Sequence, residues 1–181
     1  MPPRSLARPA ALPASPPRSL IRSAAWPLTR RHHEVNTIRC KLITPSDCIL
    51  DDEITEAVIP AWDGLFGVLP GRAAIVAKLG LGELTLDFPD QKGGRGARRS
   101  YLIEDGFVQV IDNRLTILAR RAIPAEELSE TDAKAELAEA YARTVPESAP
   151  DRVRQLEQVT LDRRRAQLKL DMAARSRKTG I

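Results

Sequence analysis

The side chains able to do acid–base, nucleophilic or metal chemistry are few in this sequence and poorly spaced for it. The only histidines, His32 and His33, lie in a proline-rich N-terminal segment. This position removes histidine acid–base catalysis, Ser-His-Asp triads and most zinc sites from the rest of the chain. The only cysteines, Cys40 and Cys48, are eight residues apart and form no CxxC pair, so we expect two reduced thiols.

Two further motifs resemble binding sites but fail on spacing. The run DCILDDE at 47–53 clusters carboxylates, yet it fits no calcium loop, and we interpret it as a solvated turn. The run GGRG at 93–96 lacks the Lys-Ser/Thr ending of a phosphate loop and does not open a helix. The sequence therefore predicts no catalytic residue, no metal site and no cofactor, and a protein that is not an enzyme by itself.

The net charge of +4 conceals three differently charged segments. Residues 1–37 carry six arginines and one glutamate, residues 38–149 carry thirteen basic and nineteen acidic groups, and residues 150–181 carry nine basic and four acidic groups. A basic tail suits nucleic acid, an anionic membrane or an acidic protein partner, and it is also compatible with a plain solvated helix face. No apolar run approaches the roughly 20 residues that cross a bilayer, so any membrane association is expected to be peripheral.

Residues 1–36 hold seven of the fourteen prolines and are predicted not to fold. Their arginines and serines superficially resemble an organelle transit peptide, but the prolines disfavour the amphipathic helix that such a peptide needs. The alternative is an over-extended reading frame, with Val35 encoded by a misread start codon.

Residues 37–123 are predicted to form an antiparallel β-sandwich. Short runs of β-forming residues follow one another at regular spacing, namely TIRCKLIT, EITEAVIP, AAIVAKL, ELTLDF, RRSYLIE, GFVQVI and RLTILAR. Turn signals separate them at Leu81-Gly82, Asp105-Gly106 and Asp112-Asn113, and DQKGGRGAR is predicted to be a flexible hairpin tip.

Residues 124–181 change to a helical period and are predicted to form a two-helix antiparallel hairpin with a basic tail. Ser129 and Asp132 form a capping-box-like start, and the first helix repeats Ala133, Leu137, Ala140, Tyr141 and Val145. A break bracketed by two prolines precedes a second helix over about 151–175. Its apolar residues form two stripes, one of Val153, Leu156, Val159, Ala166, Leu170 and Ala173, the other of Leu161, Leu168 and Met172. A simple hairpin needs one stripe, so the second is expected to contact the β domain or another protein, unless its residues are surplus by chance.

The run AWDGLFGVLPGRA at 61–73 is predicted to be a loop that displays apolar groups. Gly64 and Gly67 are expected to bend the chain, and Pro70-Gly71 fits a type II turn. We expect Leu65 and Phe66 at the tip of this loop. Exposed apolar residues without a nucleophile or a set of metal ligands are typical of a surface that docks on another protein. The alternative is that Trp62, Phe66 and Leu69 close the end of the sandwich.

Two long motifs within this architecture resemble a known family. The stretches GLFGVLPGRAAIVAKLGLGELTL (64–86) and YLIEDGFVQVIDNRLTILARRAIP (101–124), in this order and followed by a helical hairpin, resemble the epsilon subunit of the F-type ATP synthase, whose mitochondrial counterpart is called delta. The resemblance covers about residues 38–175. It implies a non-catalytic rotor component of a proton-translocating complex, in which the sandwich binds the gamma subunit and rests on the c-ring.

The resemblance also implies which residues contact partners. The c-ring and gamma are expected to meet Trp62, Gly64, Leu65, Phe66, Gly67, Pro70, Gly71 and Arg72. The hairpin of the family extends toward the alpha/beta catalytic hexamer and restrains ATP hydrolysis. Its basic residues Arg163, Arg164, Arg165 and Lys169 are expected to meet an acidic loop of the beta subunit. Two stripes would suit a helix that buries a different face in each state.

The chain departs from the family pattern at several positions. Arg72 stands where relatives often have histidine, and Leu65 where some carry an acidic residue that faces the ring. In relatives whose hairpin binds ATP, the first helix opens with Leu-Asp-x-x-Arg-Ala. Here the matching stretch is LSETDA (128–133), in which Ser129 replaces the aspartate and Asp132 the arginine. The lost cation and added anion should repel phosphates, so we expect weak or absent ATP binding.

The resemblance implies a location on the cytoplasmic face of the bacterial inner membrane, with attachment only through the complex and the mitochondrial inner membrane as the alternative. A second function class, a nucleic-acid-binding adaptor, would use the basic helix and leader on phosphate. It is disfavoured by the acidic β body and the lack of an RNA-binding signature, and no nucleic-acid partner is expected. Binding that follows the beta subunit rather than nucleic acid would separate the two classes.

Overall fold

The computed structural model describes residues 36–90, 96–147 and 149–179. The predictions for the N-terminal leader and for the centre of the glycine-rich hairpin tip fall outside these residues. Eight strands come first: β1 (Ile38–Ile43), β2 (Cys48–Ile54), β3 (Glu56–Ala61), β4 (Gly64–Val68), β5 (Ile75–Leu79), β6 (Gly82–Asp87), β7 (Arg98–Ile111) and β8 (Arg114–Pro124). A short 3₁₀ turn (Ala125–Glu127) leads to two helices, α1 (Glu130–Ala142) and α2 (Arg152–Thr179).

The strands form one hydrogen-bonded sheet in the order β2-β1-β8-β7-β5-β3-β4, with β6 pairing to both β3 and β7. The pairs are antiparallel except for β1 and β8, which run parallel. No tight hairpin constrains the direction of these two strands, because the whole β domain separates them in sequence. The predicted β domain followed by two packed helices is confirmed, with this one parallel pair as an exception to the antiparallel pattern.

The core of the β domain is a single aliphatic cluster to which all eight strands contribute, including Ile38, Ile59, Leu86 and Ile117. Alternate residues of β1 are buried and exposed, which is the pattern expected of a strand with one face on the core. Aliphatic residues thus carry the core of a chain in which aromatic residues are only 4%.

The interpretation of residues 47–53 as a solvated turn is wrong, because most of them form strand β2. The strand buries Leu50 and Ile54 and pairs with β1 along its length. Asp51 and Glu53 are paired with Lys41 and Arg39 of β1, and Arg39 Nε donates to Asp51 Oδ1 at 2.8 Å. This hydrogen bond lowers the pKa of the Asp51 carboxyl. The predicted single strand EITEAVIP is likewise divided, with a break at Thr55.

The two strands predicted from RRSYLIE and GFVQVI are one long strand, β7, with a kink. Asp105 and Gly106 have positive φ angles of 57° and 133°. A Cβ on Gly106 would lie 2.1 Å from the backbone oxygen of Leu118, so only glycine fits there. The kink changes which alternate residues face the core: Ile103 precedes it in the core cluster, and Val108 follows it.

The first helix begins as predicted. Asp132 N donates to Ser129 Oγ at 3.4 Å, which makes Ser129 the N-cap of α1. The helix ends at Ala142, so Val145 lies beyond it, and α2 starts one residue after the predicted Asp151 and continues past Arg175. Ion pairs join Glu136 within α1 to Lys169 of α2, and Arg143 just after α1 to Asp162 of α2. The order of the contacts is reversed along the two helices, which confirms an antiparallel pair.

The helices also rest against the β domain, in one compact unit with the sheet. The predicted domain boundaries at 36/37 and 123/124 stay predictions. Of the two helices that the structure describes, neither combines the length and apolarity needed to span a bilayer.

Candidate partner-binding surfaces

The region predicted to be a loop is a β-hairpin followed by a turn. β3 and β4 pair from Ala57–Val68 to Ala61–Gly64, and Trp62 and Asp63 form the two-residue turn between them. Gly64 has a φ of 151°, in keeping with its predicted role in a tight bend. Gly67 pairs with Val58 inside β4, so its predicted bend is wrong.

The β3–β4 hairpin exposes some of its apolar side chains and buries others. The side chains of Trp62 and Leu65 are 72% and 69% exposed, and Leu69 is also exposed. Phe66 is half-buried and packs against the core, while Val68 is fully buried. Of the predicted tip residues, Leu65 is therefore displayed and Phe66 partly closes the sandwich.

The Pro70-Gly71 turn has the predicted type II form. Arg72 N donates to Leu69 O at 3.2 Å, and Gly71 has a φ of 79° at the position that requires a positive angle. The Arg72 guanidinium lies over the Phe66 ring, 5.7 Å from its centroid. The eight predicted contact residues thus form two adjoining groups, one at the β3–β4 turn and one around the type II turn.

The structure shows a second apolar surface that was not predicted from the sequence. It lies on the outer side of the sheet and consists of Val76, Phe107, Ile111 and Leu118, all exposed. Phe107 pairs with Lys78 on one side and with Leu118 on the other, so these side chains share one face. We call these four residues the outer sheet patch. The signal was present in GFVQVI and RLTILAR, where apolar residues occupy both alternating sets of positions.

Arg163, predicted to contact beta, stabilises the helical hairpin itself in this structure. Its Nε donates to Ala140 O at 3.0 Å and its Nη2 to Arg143 O at 3.2 Å. The guanidinium also lies 5.2 Å from the centre of the Tyr141 ring. A cation therefore satisfies the free carbonyls at the end of α1, where the helix dipole favours positive charge.

Two more of the four predicted basic residues are paired within the protein. Arg165 lies 3.0 Å from both Asp162 and Glu104, and Lys169 Nζ lies 2.7 Å from Glu136 on α1. Arg164 is exposed and lines a groove between α2 and the β3–β4 hairpin. The four residues thus lie close together on α2, but their side chains contact different groups.

The second stripe of α2 contacts the β domain, which is one of the two contacts predicted for it. Met172 is buried against Leu102 and Ala125, and Leu168 packs at the edge of this cluster with Ile123. Leu161, the third residue of the stripe, is exposed. In the first stripe Ala166 and Ala173 are buried, whereas Val153 and Leu156 are exposed. We call this arrangement, with α2 against the β domain, the docked hairpin.

The cysteines are free thiols, as predicted. Cys40 is buried in the core, and burial raises the pKa of its thiol to about 12. Cys48 is exposed. Over the described residues, histidine, cysteine, aspartate and glutamate form no group of three able to hold a metal ion. The surfaces described above suit binding to other proteins.

Comparison with known proteins agrees with this architecture. The family model for the beta-sandwich domain of the ATP synthase delta/epsilon chain matches residues 37–125. The ATP synthase epsilon chain of Rhodopirellula baltica is 36% identical over 133 residues, which cover 74% of this chain and 97% of that protein. The epsilon chain of Myxococcus xanthus is 33% identical over 136 residues, covering 75% and 96%.

Solved structures show the same fold. A chain of the Euglena gracilis mitochondrial ATP synthase aligns with a TM-score of 0.58 at 27% identity, covering 70% of this chain and 76% of that one. A chain of the Tetrahymena thermophila mitochondrial ATP synthase central stalk and c-ring structure aligns with a TM-score of 0.50 at 14% identity, covering 75% and 95%. The chain belongs to the ATP synthase delta/epsilon family, as a non-catalytic subunit of the central stalk.

Proposed function

We propose that this protein couples the c-ring to the gamma subunit in the rotor of a proton-translocating F-type ATP synthase. The observation that supports this role most directly is the pair of exposed apolar surfaces, the β3–β4 tip and the outer sheet patch, on one β domain. Torque transmission needs a rigid body with two attachment sites, and a closely packed β core supplies such a body. Attachment through the complex, at the cytoplasmic face of a bacterial inner membrane, agrees with the bacterial relatives.

The tip is the surface that we assign to the ring. Trp62 and Leu65 project from a two-residue turn, and Leu69 and Arg72 lie beside them at the type II turn. Because Leu65 is apolar and largely exposed, the contact at this position gains from removing apolar area from water, at about 25 cal/mol per Å². Such a contact should depend only weakly on salt.

The outer sheet patch is the surface that we assign to gamma, together with Arg72 and its neighbours. Phe107 and Leu118 are cross-strand neighbours at its centre, and both are about half exposed. Exposed apolar residues that adjoin one another on a flat sheet face are typical of an interface with another protein.

Co-purification of a tagged full-length chain with gamma and c subunits tests the assignment. Leu65→Asp should reduce recovery of the c-ring and leave gamma bound, whereas Phe107→Asp should reduce recovery of gamma. Val153→Asp is the control, because it adds the same charge at an exposed apolar position on the distal hairpin. If neither subunit is recovered with the unaltered chain, the rotor assignment fails.

We propose further that the hairpin restrains ATP hydrolysis when it leaves the β domain and extends to the alpha/beta hexamer. In the docked hairpin, Arg163, Arg165 and Lys169 are paired with carbonyls and carboxylates of this chain. An acidic loop of the beta subunit would offer the same kind of partner. This internal pairing also weighs against α2 as a phosphate-binding helix, the alternative that a nucleic-acid adaptor requires.

Truncation after Val145 tests the restraint. The shortened chain keeps the β domain and both apolar surfaces and should assemble, while the complex should hydrolyse ATP faster. The Arg164→Glu variant is a full-length companion, because Arg164 is exposed and its charge reversal leaves the internal pairs intact. An unchanged hydrolysis rate in both complexes would show that the hairpin is not inhibitory here.

A further inference from the structure

Glu104 is a buried charge in the docked hairpin. It lies on β7 immediately before the kink, and its side chain is 6% exposed. It is the one buried charged residue among the described parts of the chain. A carboxylate removed from water in this way requires a partner, since burying an isolated charge is strongly unfavourable.

Its partner is Arg165 of α2. Arg165 Nε lies 3.0 Å from Glu104 Oε1, and Arg165 Nη1 lies 3.0 Å from Asp162 Oδ1 one turn earlier on the same helix. The facing Nε and Oε1 atoms are both buried, but they are not aligned as a hydrogen bond. The pair is therefore held mainly by charge, in a setting where neither atom reaches water.

The apolar contacts around this pair are few. Met172 and Leu168 dock on Leu102 and Ala125, and α2 also lies close to β6. A second charge contact lies further along the helix, where Arg175 Nη2 is 2.7 Å from Glu83 Oε2. Glu83 and Arg175 are more exposed than Glu104 and Arg165, so this second pair contributes less to docking.

The surroundings of both charges change when the helical hairpin leaves the β domain. Water then solvates both, so the separated state carries no unpaired buried charge. If Arg165 is missing in the docked hairpin, Glu104 stays buried without compensation, which strongly destabilises that state. Arg165 without Glu104 keeps its pair with Asp162, so the loss of Glu104 costs less. A well-packed apolar pair at the same positions would favour docking as much or more. An ionic pair thus keeps docking specific and reversible.

We propose that Glu104 is an internal acidic docking site for Arg165, in which a carboxylate of the β domain occupies the arginine that an acidic partner protein would otherwise bind. We call the Glu104–Arg165 pair the latch. The latch itself follows from the docked hairpin alone, and only its competition with the beta subunit rests on the proposed function.

Hydrogen exchange on the full-length chain tests the latch without any other subunit. Arg165→Met leaves Glu104 buried and unpaired, and it should speed exchange of α2 amides by roughly tenfold or more, because the helix leaves the β domain more often. Glu104→Gln should act in the same direction and more weakly. Glu139→Gln is the matched control, since it removes the charge of an exposed glutamate whose ion pair is with Arg143, just after the end of α1.

The double variant Glu104→Leu with Arg165→Met separates charge pairing from simple packing. It should restore protection to at least the level of the unaltered chain, because the apolar pair leaves no buried charge. Circular dichroism should report the same β domain in all variants. The latch is overturned if Arg165→Met exchanges like the unaltered chain, or if the double variant is no better protected than Arg165→Met.

ATP hydrolysis by the assembled complex tests the competition. Glu104→Gln should strengthen the restraint on hydrolysis, because Arg165 is kept and is freed for an acidic partner. If Glu104→Gln releases the hairpin in exchange measurements but leaves hydrolysis unchanged, the latch stands and the regulatory function fails.

Discussion

The side chain of Asn113 joins the β7–β8 turn to the Pro70-Gly71 turn. Its Oδ1 accepts a hydrogen bond from Gly71 N at 3.0 Å, and its Nδ2 donates to Thr37 O at 2.8 Å. Asn113 has a φ of 57°, which asparagine tolerates better than most residues. One amide group thus positions the type II turn, beside which Leu69 and Arg72 lie, relative to the start of β1.

Replacing Asn113 should therefore loosen a candidate partner surface. Asn113→Ala removes both hydrogen bonds and puts alanine, which tolerates positive φ less well than asparagine, at this position, and we expect a loss of about 2 kcal/mol in the free energy of unfolding. Asn113→Gly loses the same hydrogen bonds without the backbone strain and should lose about half as much. Urea unfolding measures both variants, and exchange of the Gly71 amide measures the local effect. Unchanged exchange at Gly71 in both would contradict the proposed link.

The kink in β7 should be intolerant of any side chain at Gly106. In Gly106→Ala the new Cβ meets the Leu118 carbonyl oxygen at a φ that alanine rarely adopts. We expect a loss of more than about 3 kcal/mol, or failure to fold. Gly67→Ala is the control, because the space around a Cβ at Gly67 is open and its φ is not positive. Similar stability of the two variants in denaturant unfolding would show that the kink is not a constraint.

Cys40 should make the protein less stable in alkaline solution. Its thiol pKa is raised to about 12 in the folded chain, first by burial and then by the charge of Asp51. The unfolded thiol ionises from about pH 8.5 upward, so the stabilisation is full below this pH and is lost progressively toward pH 12. The slope should approach about 1.4 kcal/mol per pH unit. Cys40→Ala should remove this slope whatever its effect at neutral pH, whereas Cys48→Ala should retain it.

The hairpin should bind ATP weakly or not at all. Ser129 caps α1 with its hydroxyl, and Asp132 adds a negative charge to the first turn of the helix. Calorimetric titration of the full-length chain with Mg-ATP should show no micromolar site. Asp132→Arg restores the cation of the motif seen in ATP-binding relatives and is the informative comparison. Micromolar affinity in the unaltered chain would refute the prediction.

Periodicity identified the β domain and the helices because both patterns are local. The capping of α1 by Ser129, the type II turn at Gly71 and the Asp112-Asn113 turn depend on a few adjacent residues, and the structure shows all three. The prediction was wrong at 47–53, because acidic residues suggested a turn. Only pairing with the basic β1 strand makes those residues compatible with a strand.

The sequence by itself determined that a β domain precedes two helices and that histidine chemistry is absent outside the leader, since composition and short-range spacing decide these. The tertiary structure alone decided which charges pair. Glu104 and Arg165 are 61 positions apart in the printed sequence, and nothing local links them. The tertiary structure also decided three other features: the parallel pairing of β1 with β8, the outer sheet patch, and the docking of α2 through Met172. Each joins residues remote in sequence, and packing of the whole chain selects such contacts where local preferences do not.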